Sequence, residues 1–181
     1  MPQPSVQSAE SQDVLLVQRI AMQDRRAFEE LYHAYHRRLS RFLLRIAPRY
    51  DLAEEVINDT FWVVWRKAGE FRGASRVSTW IMGIAYRRAL RTLRDERHGL
   101  PRDHEEPLDD VAAATDSSER DDARDWIARG LGTLPDEQRL TIELAYFLGH
   151  SCEEIAAITD SPVGTVKARM FHARAKLRKT L

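Results

Sequence analysis

Chemistry at neutral pH needs titratable or metal-ligating side chains at usable spacings, and this chain of 181 residues offers a few such sets. His33 and His36 fall on neighbouring turns of a helix, and His150 and Cys152 stand two apart, so each pair can present two ligands to one metal. A closed zinc site needs four, and neither pair has the rest. Glu54, Glu55 and Asp59 cluster on one helical stretch and would suit magnesium if a second helix brought further carboxylates. The stretch that follows brings Arg87, Arg91 and Arg94 instead. Ser, His and Asp are all present, yet no nucleophile elbow, phosphate loop or Gly-rich turn organises them. The sequence therefore predicts no catalytic residue, no metal and no cofactor, and points away from an enzyme.

The spacing that does carry recognition chemistry lies near the C-terminus. Ser151-Cys-Glu-Glu154 has the form of a capping box and starts a short helix carrying Ile155, Ala156 and Ile158. Asp160 breaks it, and Ser161-Pro162 begins a second helix almost at once, which makes a helix-turn-helix. In that second helix Val163, Val166, Met170, Ala173 and Leu177 supply the core stripe. The opposite side carries Gly164, Lys167, Ala168, Phe171, His172 and Lys176, flanked by Thr165, Arg169, Arg174 and Arg178. Long basic side chains reach phosphates, small residues allow close approach to a groove, and an aromatic edge can touch a thymine methyl. A merely solvated basic helix accounts for the charge. It does not account for Phe171 lying outside the core.

These residues need elements to hold them. With 43% hydrophobic residues the chain can bury a core, and its single cysteine, Cys152, excludes an intramolecular disulfide and fits a cytoplasmic address. Residues 1–12 are polar and Pro/Ser/Gln-rich, without signal-peptide character, and read as a disordered tail; no apolar run approaches membrane-spanning length, so no direct membrane insertion is expected. A periodic stretch from Val14 to Met22 precedes a long helix that starts near Asp24 and ends at Pro48, with Phe28, Leu31, Tyr32, Tyr35, Leu39, Phe42, Leu43 and Ile46 on its inner face. Further helices run from about Asp51 to Ala68 and, capped by Ser78, from Thr79 to about Arg97. From His98 to about Arg120 the periodicity gives way to Gly, Pro, Ser and acidic residues, which predicts a flexible linker. Helical pattern resumes near Asp121 and again from Pro135, ending at Gly149. The net charge of zero hides opposite blocks: about +6 over residues 21–100, about −11 over 101–160 and about +6 over 161–181. Two basic bodies around an acidic middle suit a protein that touches DNA at two places.

Three stretches taken together resemble the extracytoplasmic-function sigma factors of the sigma-70 family: Ala53-Glu-Glu-Val-Ile-Asn-Asp-Thr-Phe-Trp-Val-Val-Trp65, Phe71-Arg-Gly followed by Ser78-Thr-Trp-Ile81, and Glu153-Glu-Ile-Ala-Ala through Ser161-Pro-Val-Gly-Thr-Val-Lys167. The resemblance spans nearly the whole chain and implies an all-α fold of two small helical domains. One is a region 2-like bundle over residues 13–97 and the other a region 4-like helix-turn-helix domain over 121–181, joined by the acidic linker 98–120. It implies a factor that binds the RNA polymerase core, directs promoter-specific initiation and is controlled by an anti-sigma factor. The linker would thread into the polymerase's active-centre and RNA-exit channels.

By this resemblance Glu55, Asn58, Asp59 and Trp62 meet the clamp of the polymerase's largest subunit. Helical geometry agrees, because Ala53, Val56, Ile57, Phe61 and Val64 form one buried stripe and leave Trp62 off it, beside polar neighbours. Phe71, Arg72, Ser75, Arg76, Ser78, Arg87 and Arg91 are assigned to the melted minus-10 strand: an aromatic face for stacking, hydroxyls, and arginines that follow phosphates. Trp80 fits either that surface or the core. Arg87 stands where many relatives carry Asn, so base preference there does not transfer. Thr165, Lys167, Ala168, Arg169, Phe171 and His172 are assigned to the minus-35 duplex. The rival reading is a stand-alone, dimeric helix-turn-helix transcription regulator, whose sensor domain would need neither the Trp62 face nor an arginine-rich helix.

Overall fold

Apolar residues at three- and four-residue spacing become buried helix faces in the computed structural model, which describes residues 6–97, 126–127 and 129–180. No strand occurs among them. The chain divides into two compact units; the first contains α1 (Val6–Ala21), α2 (Arg25–Ile46), α3 (Tyr50–Lys67) and α4 (Val77–Arg97), with a single 3-10 turn at Ala68–Glu70. Asp24 caps α2 by accepting the amides of Arg26 at 2.9 Å and Ala27 at 3.2 Å. The Ala27 amide, followed by the Arg19 side chain, holds the Asp24 carboxyl below its usual range. Arg19 lies 2.8 Å from that carboxylate, so one residue ties the end of α1 to the start of α2.

The core of this unit is the stripe that the periodicity predicts. Leu31, Tyr35, Leu39, Phe42 and Leu43 of α2 are buried, as are Val56, Ile57, Phe61 and Val64 of α3, Leu16, Val17 and Ile20 of α1, and Ile81, Met82 and Ala85 of α4. Two boundaries differ from expectation. Residues 6–12, read as tail, are the opening turns of α1, because Glu10 and Asp13 have partners in the rest of the unit: Glu10 accepts the Val77 amide at 2.8 Å and Asp13 accepts the Tyr35 hydroxyl. Ser78 does not precede α4 as a cap but lies inside its first turn, 7% exposed, and the first amide of the helix is taken by Glu10 across 67 residues of sequence.

The second unit holds α5 (Asp136–Tyr146), most of α6 (Cys152–Thr159) and α7 (Val163–Thr180), with further helical residues at 126–127 and 129–132. The capping box forms as read: the Glu154 amide donates to Ser151 Oγ at 3.2 Å and the Ser151 amide to Glu154 Oε2 at 2.8 Å. Gly149 at φ 72° and Asp160 at φ 51° take the left-handed conformation that ends a helix and turns the chain. Leu131, Leu134, Ile142, Met170 and Ala173 make the core, with Leu177 packed against it. The expected linker at 98–120, and the start of the helix expected from Asp121, lie outside the described residues. No helix among the described residues is long and apolar enough to cross a membrane.

Candidate functional site

On α3, burial of Ala53, Val56, Ile57, Phe61 and Val64 turns the other side outward, where Trp62 is 59% exposed with Glu55 and Asn58 also in solvent. Its neighbour Trp65 packs edge-on against Phe28, centroids 5.3 Å apart, so one tryptophan serves the fold and the other does not. The polar groups around Trp62 are held in place. Arg88 of α4 reaches Asp59 at 3.3 Å, and the Tyr32 hydroxyl donates to Asn58 Oδ1 at 3.4 Å. His36 Nε2 lies 3.0 Å from Glu54 Oε2, an ion pair or hydrogen bond that spacing alone did not reveal. Glu54 and Asp59 are thus engaged by cationic or polar partners, and among the described residues no group of three or more His, Cys, Asp or Glu could hold a metal.

Between α3 and α4 the chain makes an exposed loop through Gly73, at φ 69°, with Arg72 and Arg76 to either side in solvent. Phe71 meets Trp80 with ring centroids 5.0 Å apart at 42°, and both rings stay partly exposed. Trp80 therefore belongs with the loop rather than wholly to the core. Ser75 is partly exposed, whereas Ser78 is buried and its hydroxyl is not available to a strand passing over the surface. Arg87, Arg91 and Arg94 are exposed at helical spacing along α4, Arg91 within 3.9 Å of Asp95. The Arg87 guanidinium lies over Gly83, where a methyl group would approach its Nη1 to 3.3 Å. An aromatic pair at the head of a row of arginines offers stacking to bases and charge to phosphates.

On α7 the side turned away from the core is open: Gly164, Thr165, Lys167, Ala168, Phe171 and His172 are all exposed, and Val166, Met170 and Ala173 are buried behind them. Lys167 comes within 3.9 Å of Glu153, an exposed pair that a nucleic acid can displace. Arg169 is different. It is only partly exposed, donates to Ser161 Oγ at 3.1 Å and pairs with Glu137 of α5, so it braces the helix-turn-helix. Phe171 is 62% exposed, sits edge-on to His172, and also lines an apolar cavity of about 730 Å³ with Ile127, Leu131, Ile142, Tyr146 and Phe147. The sequence marks Phe171 as outside the core; it does not reveal that Tyr146 and Phe147, at the end of α5, stay exposed beside it.

Residues 31–99 match Sigma-70 region 2 and residues 124–177 match Sigma-70, region 4. RNA polymerase sigma-H factor of Pseudomonas aeruginosa is 32% identical over 95% of both chains. The extracytoplasmic-function RNA polymerase sigma factor SigK of Mycobacterium tuberculosis is 32% identical over 92% of this chain and 91% of its own. The corresponding factor RpoE of Cereibacter sphaeroides is 33% identical over 86% and 87%. Among solved structures, CnrH in complex with the cytosolic domain of CnrY aligns with a TM-score of 0.67 at 24% identity, covering 93% of this chain and 96% of CnrH. The sigma factor RpoE of Bartonella quintana, solved with the anti-sigma factor NepR, aligns at 0.62 and 24% identity, covering 84% and 95%. With both regions matched in order and relatives aligned over nearly its full length, the chain belongs to the extracytoplasmic-function sigma factors of the sigma-70 family.

Proposed function

We propose that this chain binds the core of a bacterial RNA polymerase through the α3 surface and directs it to promoters, reading a melted minus-10 strand with the loop and arginines of α4 and a minus-35 duplex with α7. The observation that carries the reading is Trp62: a large apolar side chain left outside a well-filled helical unit, between oriented polar groups, is the form of an interface anchor. Glu55, Asn58 and Asp59 surround it as the polar rim. Phe71, Arg72, Ser75, Arg76, Arg87 and Arg91 take the single strand, and Lys167, Ala168, Phe171 and His172 face the bases of the duplex while Thr165 lies nearer the backbone. Arg169 acts mainly by bracing α7. The work takes place in the cytoplasm, where polymerase and promoter are, and involves no chemistry by this chain.

An anti-sigma factor is the proposed regulator, as NepR is the partner of RpoE in Bartonella quintana. The apolar cavity beside Phe171, with Arg174 and Arg178 on its lining, suits an amphipathic helix bearing acidic residues. Run-off transcription with purified bacterial core polymerase, with and without this protein, on promoter fragments from its host tests the proposal. Specific transcripts appear only with the protein. Absence of both transcripts and core binding, with the free protein binding duplex DNA as a symmetric dimer, would establish the stand-alone regulator instead.

A further inference from the structure

Arg76, the residue before α4, cannot cap that helix, because its guanidinium only donates hydrogen bonds. The first amide of α4, that of Val77, is instead taken at 2.8 Å by Glu10 Oε1 of α1. A carboxylate at this place also faces the positive end of the α4 backbone dipole. α1 is itself anchored close by. One turn along, Asp13 accepts the hydroxyl of the buried Tyr35, and Leu16, Val17 and Ile20 are buried in the core. α1 packs against the 3-10 turn that begins the loop as well as against α4, and Gly69 of that turn lies against Ala21, with a methyl group there meeting the alanine side chain at 3.9 Å. The loop carrying Phe71, Arg72, Ser75 and Arg76 is therefore held at both ends by α1, at its start by packing and at its finish by the bond from the Val77 amide to Glu10.

We infer that Glu10 is a positioning residue for the minus-10 strand: by holding the first turn of α4 it sets Phe71 and Arg76 where a single strand meets them, before any DNA arrives. The inference rests on the minus-10 assignment made above. A loop already ordered in its binding shape spares the ordering cost that an unheld loop pays on association. Glu10 lies on α1 and Trp62 on α3, so the loss of Glu10 should separate strand binding from polymerase binding.

The test uses full-length protein assembled with core polymerase and a promoter fragment recovered from the run-off experiment, single-stranded and fluorescently labelled across the minus-10 element. Glu10→Ala is expected to bind this probe roughly three- to thirtyfold more weakly, the span of losing a helix cap, while affinity for core stays within about twofold of the unaltered protein. Glu10→Gln keeps an oxygen acceptor at the same reach and is expected within about threefold of the unaltered protein for the probe. Unchanged probe binding by Glu10→Ala overturns the inference, as does a Gln variant no better than Ala. Equal loss of core and probe affinity in Glu10→Ala also overturns it, because the role is then general to the fold. Phe71→Ala and Arg76→Ala run alongside. If they too leave probe binding unchanged, the minus-10 assignment itself fails; if they weaken it and Glu10→Ala does not, only the role of Glu10 fails.

Discussion

A tryptophan with more than half its surface in water contributes little to the unit that carries it, so removing it should cost the fold little and a partner much. Trp62→Ala is expected to leave thermal stability within about 0.5 kcal/mol of the unaltered chain. It should weaken core polymerase binding by about 2 kcal/mol or more, the scale of a buried aromatic anchor, in a fluorescence titration. An unchanged affinity would remove Trp62 from the interface. Lys167 makes a different demand, since an exposed lysine on a reading face can serve a phosphate or a base edge. The proposed docking of α7, which turns Lys167 toward the groove, favours the base. Lys167→Ala should therefore cost about 1–3 kcal/mol on the preferred minus-35 duplex and much less on a shuffled one. Equal losses on both, with a salt dependence reduced by about one charge, would put Lys167 on the phosphates.

Elements are held by polar pairs that sequence periodicity does not register. Burial pushes the Asp13 carboxyl up, opposed by its hydrogen bond from Tyr35, and burial first and Asp13 second push the Tyr35 hydroxyl up as well. Because Asp13 holds its proton more tightly in the folded chain than in the unfolded one, its contribution to stability is fully present below the ordinary carboxylate value of 3.8 and is lost as pH rises through its raised value. Asp13→Asn keeps an acceptor for Tyr35 without a charge to desolvate, so its stability relative to the unaltered chain should improve as pH is raised across that window. Tyr35→Phe, which removes the donor and leaves the carboxylate partly buried, should destabilise by about 1–3 kcal/mol at neutral pH. A melting series over pH 3.5–7.5 that ranked the two variants the other way would deny the pair any role in docking α1. The same feature explains what was legible. The stripe from Leu31 to Leu43, the Ser151–Glu154 capping box and the Asp160 break are local patterns, and each appears where the sequence puts it. The start of α1, the cap of α4 and the burial of Ser78 are not legible. They go with contacts between distant positions, such as Glu10 with Val77 and Asp13 with Tyr35, that leave no periodic trace.

At the scale of the molecule the charge blocks set a problem, since a factor that met DNA through two basic segments, as proposed, would risk occupying duplex DNA before it finds polymerase. The chain sums to zero because an acidic stretch counters them, and five carboxylates, Asp103, Glu105, Glu106, Asp109 and Asp110, fall within eight residues of one another. Covalently joined to the basic units, these charges would compete with phosphates for the same lysines and arginines and lower the long-range attraction between free protein and DNA. Binding to polymerase would remove that competition if the stretch were engaged elsewhere, so promoter DNA would be favoured only after assembly. Replacing the five with Asn and Gln should raise the affinity of the free chain for non-specific duplex by about three- to tenfold near 50 mM salt. The gain should shrink towards nothing near 300 mM, while binding of the assembled holoenzyme to its promoter changes little. A gain that persisted at high salt would mean the substitutions act through structure rather than charge. No gain at low salt would mean that the acidic stretch does not shield the free protein from DNA.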